Sequence, residues 1–151
     1  MSGEAGLPPG LSELLETLET LDRQERIEAL ISIAERFRDV PESVARRPYP
    51  EERLVPGCES RAFVWSAPRA DGTLDYQFAV ENPQGLSAKA FAVILGDTLS
   101  GRPLPEVLAV PTGVVERLFG RELSLGKSLG LTGMLQAAQR EARIRLAPAV
   151  A

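Results

Sequence analysis

The chain carries a single cysteine and no histidine, and the cysteine stands in Val55-Pro56-Gly57-Cys58-Glu59-Ser60-Arg61. A thiol reacts as its thiolate, so it works where positive charge or backbone donors favour ionisation and a partner can reach it. Arg61 is close enough in sequence to help, whereas Glu59 opposes ionisation. Pro56 presets the backbone for the second position of a type II turn, and Gly57 supplies the positive φ required at the third. Cys58 follows at the fourth position, where the next strand begins. The spacing predicts a thiol held on a fixed hairpin. Two readings stand side by side, because free cysteines are often small buried hydrophobes while turns lie mostly at the surface.

The missing residue types remove several chemistries. Without histidine there is no Ser-His-Asp or Cys-His pair, no imidazole base and no Cys/His zinc cage. One cysteine forms no internal disulfide and cannot alone hold an iron-sulfur cluster. A sulfenic acid or persulfide formed on Cys58 has no internal resolving thiol, so the adduct persists until another protein removes it. That behaviour suits a carrier. Phe63 and Trp65 read as core aromatics. Lys127 reads as a surface lysine or an interaction residue near the start of the last helix.

The elements that position Cys58 belong to one domain. A chain of 151 residues, 44% hydrophobic and 25% charged, has the profile of a soluble globular protein with a single core. No apolar run approaches the ~18 to 20 residues of a membrane span, and the start lacks the basic and apolar regions of a signal peptide, so a cytoplasmic location and no membrane contact are expected. A net charge of −4 argues against a nucleic-acid partner. Residues 1–60 hold 7 basic and 13 acidic side chains and the remainder 10 and 8, which fits complementary partner surfaces or ordinary solvated helix faces.

Residues 1–10, rich in Gly and Pro, read as a flexible N-terminus, 11–146 as the domain and 147–151 as a tail. Leu11, Leu14, Leu15, Leu18 and Leu21 share one helical face. Asp22 and Glu25 form a capping box that starts a second helix, with Ile27, Leu30, Ile31, Ala34 and Phe37 inward. Prolines 41, 48 and 50 favour an irregular connection packed on the surface. Strands are predicted at Arg53-Leu54-Val55, at 61–65 and at 74–81, where Leu74, Tyr76, Phe78 and Val80 alternate with polar or small residues. The expected fold class is α+β, a three-stranded antiparallel sheet with one face covered by helices. A core helix follows Pro83 and includes Leu86, Ala88, Phe91 and Ile94. Short helices start near Leu104-Pro105 and Pro111-Thr112-Gly113, and a last helix spans about 128–146.

The segment Val55-Pro56-Gly57-Cys58-Glu59-Ser60, followed by Phe63-Val64-Trp65, resembles the V-x-G-C-x-S-x-V-W signature of the SufE family of sulfur acceptor proteins. Leu123-Ser124-Leu125-Gly126-Lys127-Ser128-Leu129-Gly130-Leu131, with Met134, is similar to that family's L-[ST]-x-S-R-x-[NQ]-G-L-x-x-M helix start. The resemblance covers roughly 11–146. It implies a SufE/IscU-like fold, shared with iron-sulfur cluster scaffolds, and a sulfur carrier that stimulates a cysteine desulfurase rather than a stand-alone enzyme. Cys58 then matches the persulfide acceptor, and Arg61 and Lys127 are expected to face the partner or tune the thiol. The implied partners are a SufS-like desulfurase, which owns the pyridoxal phosphate, and an iron-sulfur scaffold complex. No cofactor or metal is expected on this chain, and a homodimer is left open.

Where relatives have Ser-Arg this chain has Gly126-Lys127, where they have Asn or Gln it has Leu129, and their Ala-Asp-Ser is here Val80-Glu81-Asn82. Lysine keeps the charge but loses arginine's planar fork. Two other readings compete. A one-cysteine thiol peroxidase predicts partner-free sulfenylation of Cys58, and a cysteine-independent binding module predicts a slow thiol.

Overall fold

Proline fits the first turn of a helix because its missing N–H has no intrahelical acceptor there. The first helix, α1 (Pro9–Glu19), accordingly starts at the Pro8-Pro9 pair, two residues ahead of the first leucine of its stripe. The computed structural model describes residues 6–121 and 123–146, so most of the expected flexible N-terminus (1–5) and the expected tail (147–151) lie outside the described residues. The second helix, α2 (Arg23–Glu35), begins at the predicted capping box. Asp22 accepts from the Glu25 N–H at 2.8 Å and Glu25 accepts from the Asp22 N–H at 3.0 Å.

Two strands, β1 (Ala62–Pro68) and β2 (Leu74–Val80), pair antiparallel, with Val64 opposite Phe78 and Ser66 opposite Tyr76. The expected third strand is absent from the sheet. Residues Glu51–Arg53 form a 3-10 turn, and the extended backbone that follows touches β1 through a single bridge, Leu54 to Phe63. Pro50 and Pro56 bound this stretch, and a residue without an N–H cannot extend a ladder on either side. The α+β class holds with a two-stranded sheet.

After the sheet come α3 (Leu86–Leu99), α4 (Leu104–Leu108), α5 (Val114–Phe119) and α6 (Leu125–Leu146). Period-two alternation sends Val64, Tyr76, Phe78 and Val80 into the main core with α3 and α6. Phe63, Trp65 and Ala79 point to the opposite face, where Val40 and Tyr49 of the proline-rich connection cover them. The Phe63 and Trp65 rings lie 5.1 and 5.4 Å from the Tyr49 ring, so both aromatics are core residues as expected. The last helix begins three residues earlier than its sequence periodicity suggested, because Ser124 Oγ accepts the Lys127 N–H at 3.2 Å and serves the first turn. Among the described residues no helix is long and apolar enough to cross a membrane.

One buried group ties the sheet to α6. The Tyr76 hydroxyl donates to the Ala138 carbonyl at 3.0 Å. Burial, with the Glu141 carboxylate adding to it, raises the phenol well above its ordinary pKa. An unfolded tyrosine ionises near pH ~10 while the folded one stays protonated, so stability is intact below that pH and falls above it, at up to about 1.4 kcal/mol per pH unit. Tyr76→Phe is expected to cost about 1 kcal/mol at neutral pH, through the lost hydrogen bond, and to flatten the alkaline slope. Urea midpoints measured at neutral and strongly alkaline pH check both effects.

Candidate functional site

The turn bearing Cys58 has the predicted type. Gly57 sits at φ +74°, and the Cys58 N–H donates to the Val55 carbonyl at 3.4 Å. The loop closes on itself through Arg61 N–H to Cys58 O at 3.1 Å and Val55 N–H to Ala62 O at 2.8 Å. Its far side is tied to the end of β2, where the Glu81 N–H donates to Arg61 O and the Asn82 N–H to Ser60 O, each at 3.1 Å. Cys58 is therefore held on backbone hydrogen bonds that need no particular side chain.

The underside of the loop rests on α6. A Cβ at Gly130 would lie 3.4 Å from Cys58 Cα and 3.5 Å from its sulfur, and one at Gly133 would lie 3.1 Å from the Pro56 carbonyl oxygen. Gly126, one turn earlier, faces the Glu59 carboxylate. These glycines recur at i, i+4 and i+7, one face of a helix, so α6 presents bare backbone where the loop must approach. Each costs about 1 kcal/mol in helix propensity relative to alanine. Close approach of the loop is the physical reason for accepting that cost.

Cys58 is half-buried and opens onto a groove of about 540 Å³. Ile27 and Ile31 of α2 form one wall, the first turn of α3 another, and Gly126, Lys127 and Gly130 of α6 a third. Ile27, Ile31 and Leu86, expected in the core from their periodicity, are instead 40%, 41% and 49% exposed along this groove. The N-terminal turns of α3 and α6 border the groove, and the Glu59 carboxylate lies against the α6 turn at Gly126. Among the described residues no group of His, Cys, Asp and Glu side chains is arranged to hold a metal ion.

Lys127 is exposed and lines the groove with Cys58. Arg61 is placed differently. It adopts φ +51°, and its guanidinium donates to Glu81 at 2.8 Å and to Glu51 at 3.1 Å while lying 5.6 Å from the Phe63 ring. The hydrogen bonds to Glu81 first and Glu51 second raise its already high pKa. Arg61 lies outside the groove lining and braces the base of the loop. The groove glycines and isoleucines were not singled out as site residues by sequence reasoning. Three helical glycines at one-face spacing were the visible signal for the first group.

A sequence model of the SufE family, described as an Fe-S metabolism associated domain, matches residues 12–142. The chain belongs to the SufE family. The Cys58 turn and the glycine face of α6 both fall inside the matched SufE region, and membership associates the chain with iron-sulfur metabolism. Among solved structures, the solution structure of a hypothetical protein from Thermus thermophilus is similar, with a TM-score of 0.71 and 26% identity over 93% of this chain and 98% of that one. A comparison with curated proteins returns no match.

Proposed function

We propose that this SufE-family chain accepts the outer sulfur of a persulfide carried by a pyridoxal-phosphate-dependent, SufS-like cysteine desulfurase, and delivers it from Cys58 to an iron-sulfur scaffold complex. The observation that carries the reading is a lone thiol on a braced turn, opening onto a groove with apolar walls. In the transfer, the Cys58 thiolate attacks the outer sulfur of the donor persulfide. A bond forms between Cys58 Sγ and that sulfur, the donor's own sulfur-sulfur bond breaks, and the donor cysteine leaves as a thiolate. The sulfane sulfur changes hands without net oxidation, and the proton released when Cys58 ionises is available to the leaving thiolate. The pyridoxal phosphate stays on the desulfurase, and this chain needs no cofactor of its own.

The groove suits both ends of this step. Its volume leaves room for one additional sulfur on Cys58, and its apolar walls limit water around a species prone to reduction and exchange. Clearing the donor thiol stimulates the desulfurase by returning it to its free form. Lys127 faces the docked partner, and Arg61 acts through the loop it braces, by way of Glu51 and Glu81.

Incubation with the cognate desulfurase and free cysteine is expected to add the mass of one sulfur atom to the peptide containing Cys58 and to raise alanine production. Wild-type protein that gains no sulfur while the desulfurase is active would overturn the reading. Rapid, partner-free sulfenylation by peroxide would favour a thiol peroxidase instead.

A further inference from the structure

A partly shielded ion pair joins the start of the Cys58 segment to α6. Arg53 Nη1 donates to Glu141 Oε1 at 3.2 Å, and Ser66 Oγ of β1 donates to the same oxygen at 2.6 Å. The two charged side chains are 36% and 19% exposed, so their attraction is screened less than that of an ordinary surface pair. Successive residues of the segment meet α6 in reverse order. Arg53 reaches Glu141, Val55 and Pro56 lie over Gly133, Cys58 lies over Gly130, and Glu59 lies beside Gly126. From Gly130 to Glu141 the helix turns through about 1100°, which returns the two positions to within about 20° of one face. Residues 53–59 therefore run along one face of α6 toward its N-terminus.

The backbone hydrogen bonds of this segment close its turn and tie it to the two strands. Its placement along α6 rests on other contacts. Bare backbone at Gly130 and Gly133 permits close approach, but a glycine has no side chain to interlock and fixes no position along the helix axis. An arginine–carboxylate hydrogen bond is directional, and here Ser66 holds the carboxylate from a second side. We infer that the Arg53–Glu141 pair sets the position of the Cys58 segment along α6, and that Arg53 and Glu141 are thereby positioning residues for sulfur transfer. Neither residue lines the groove, so their effect reaches the thiol through the segment itself. The role in transfer rests on the sulfur-acceptor reading above and deepens it. The placement of the thiol does not, and is read in the free protein.

The test is a double-mutant cycle on the full chain, with Arg53→Met, Glu141→Gln and both together. Glutamine keeps an oxygen for Ser66 and removes the charge that Arg53 pairs with. Each single variant is expected to raise the rate at which iodoacetamide alkylates Cys58 about threefold, and the double variant by about the same factor, because the second change removes nothing further. Sulfur transfer from saturating, cysteine-loaded desulfurase is expected to fall about tenfold in all three. The half-saturating desulfurase concentration should stay within about twofold of wild type, since the groove walls are unchanged. Tyr76→Phe, which removes the buried hydrogen bond to Ala138, is the control for a purely structural loss. It should lower the urea midpoint and leave both rates at the wild-type value. Wild-type alkylation rates in both single variants would overturn the inference. So would a double variant near the product of the two, about ninefold, or a Tyr76→Phe protein that alkylates as fast as they do. Unchanged transfer in variants that alkylate faster would refute the role in transfer. If wild-type protein takes no sulfur from an active desulfurase, the acceptor reading fails, and the alkylation cycle still decides whether the pair places the thiol.

Discussion

The Cys58→Ser protein is expected to take up no sulfur from a loaded desulfurase and to leave alanine production at its unstimulated level. A serine hydroxyl stays protonated at neutral pH and is a poor nucleophile toward sulfur, and the chain has no second cysteine to substitute. The fold should survive. Cys58 is only half-buried and its turn is held by backbone hydrogen bonds, so the exchange of sulfur for oxygen is expected to cost less than about 1 kcal/mol. Partner binding should survive as well, because the groove walls are unchanged. The variant should then compete with wild-type protein for the desulfurase. Mass spectrometry, an alanine assay and a competition titration read the three effects separately, and stimulation that persists in Cys58→Ser would refute the covalent relay.

Gly130→Leu is expected to cut sulfur transfer about a hundredfold, whereas Gly130→Ala should remain within a few-fold of wild type. The difference follows from distance. An alanine Cβ would meet Cys58 Cα and Sγ at 3.4 and 3.5 Å, which is ordinary contact. It would also relieve up to about 1 kcal/mol of glycine's helix penalty, so a neutral or slightly stabilised protein is expected. Leucine's further carbons have no space between α6 and the loop. Overpacking of this kind costs about 1–3 kcal/mol and would lift Cys58 from its seat. Gly133 is less forgiving, since even a Cβ there lies 3.0 Å from Val55 Cγ1 and 3.1 Å from a backbone oxygen. Urea denaturation together with the alkylation rate of Cys58 distinguishes displacement from unfolding. Equal transfer by the alanine and leucine variants at position 130 would show that α6 does not set the sulfur's position.

Features written in neighbouring residues are legible in the sequence. Asp22 with Glu25, Pro56 with Gly57, and the alternation from Leu74 to Val80 each act through contacts a few residues apart, and all appear as expected. The third strand does not, because Leu54 and Val55 have strand character but too little uninterrupted backbone between the 3-10 turn and Pro56 to make more than one bridge. Ile27 and Ile31 show the same limit. Helical spacing places them on one face, but whether that face meets a core or a groove depends on α3 and α6, far along the chain. Arg61 is three residues from Cys58, yet its left-handed backbone and its two carboxylate partners engage it at the loop's base.

The sequence by itself determined that Cys58 sits on a Pro-Gly turn, that no other thiol or imidazole shares its chemistry, and that its surroundings carry the SufE signature. Those are consequences of residue type and local backbone preference. Only the tertiary structure decided where the sulfur rests, against bare α6 backbone at Gly130, and which aliphatic side chains remain in water around it. Close approach and burial are properties of pairs of surfaces. The residues that meet at Cys58, from α2, the β2–α3 junction and α6, are far apart in the chain and are brought together by packing and by the backbone hydrogen bonds between the loop and the end of β2.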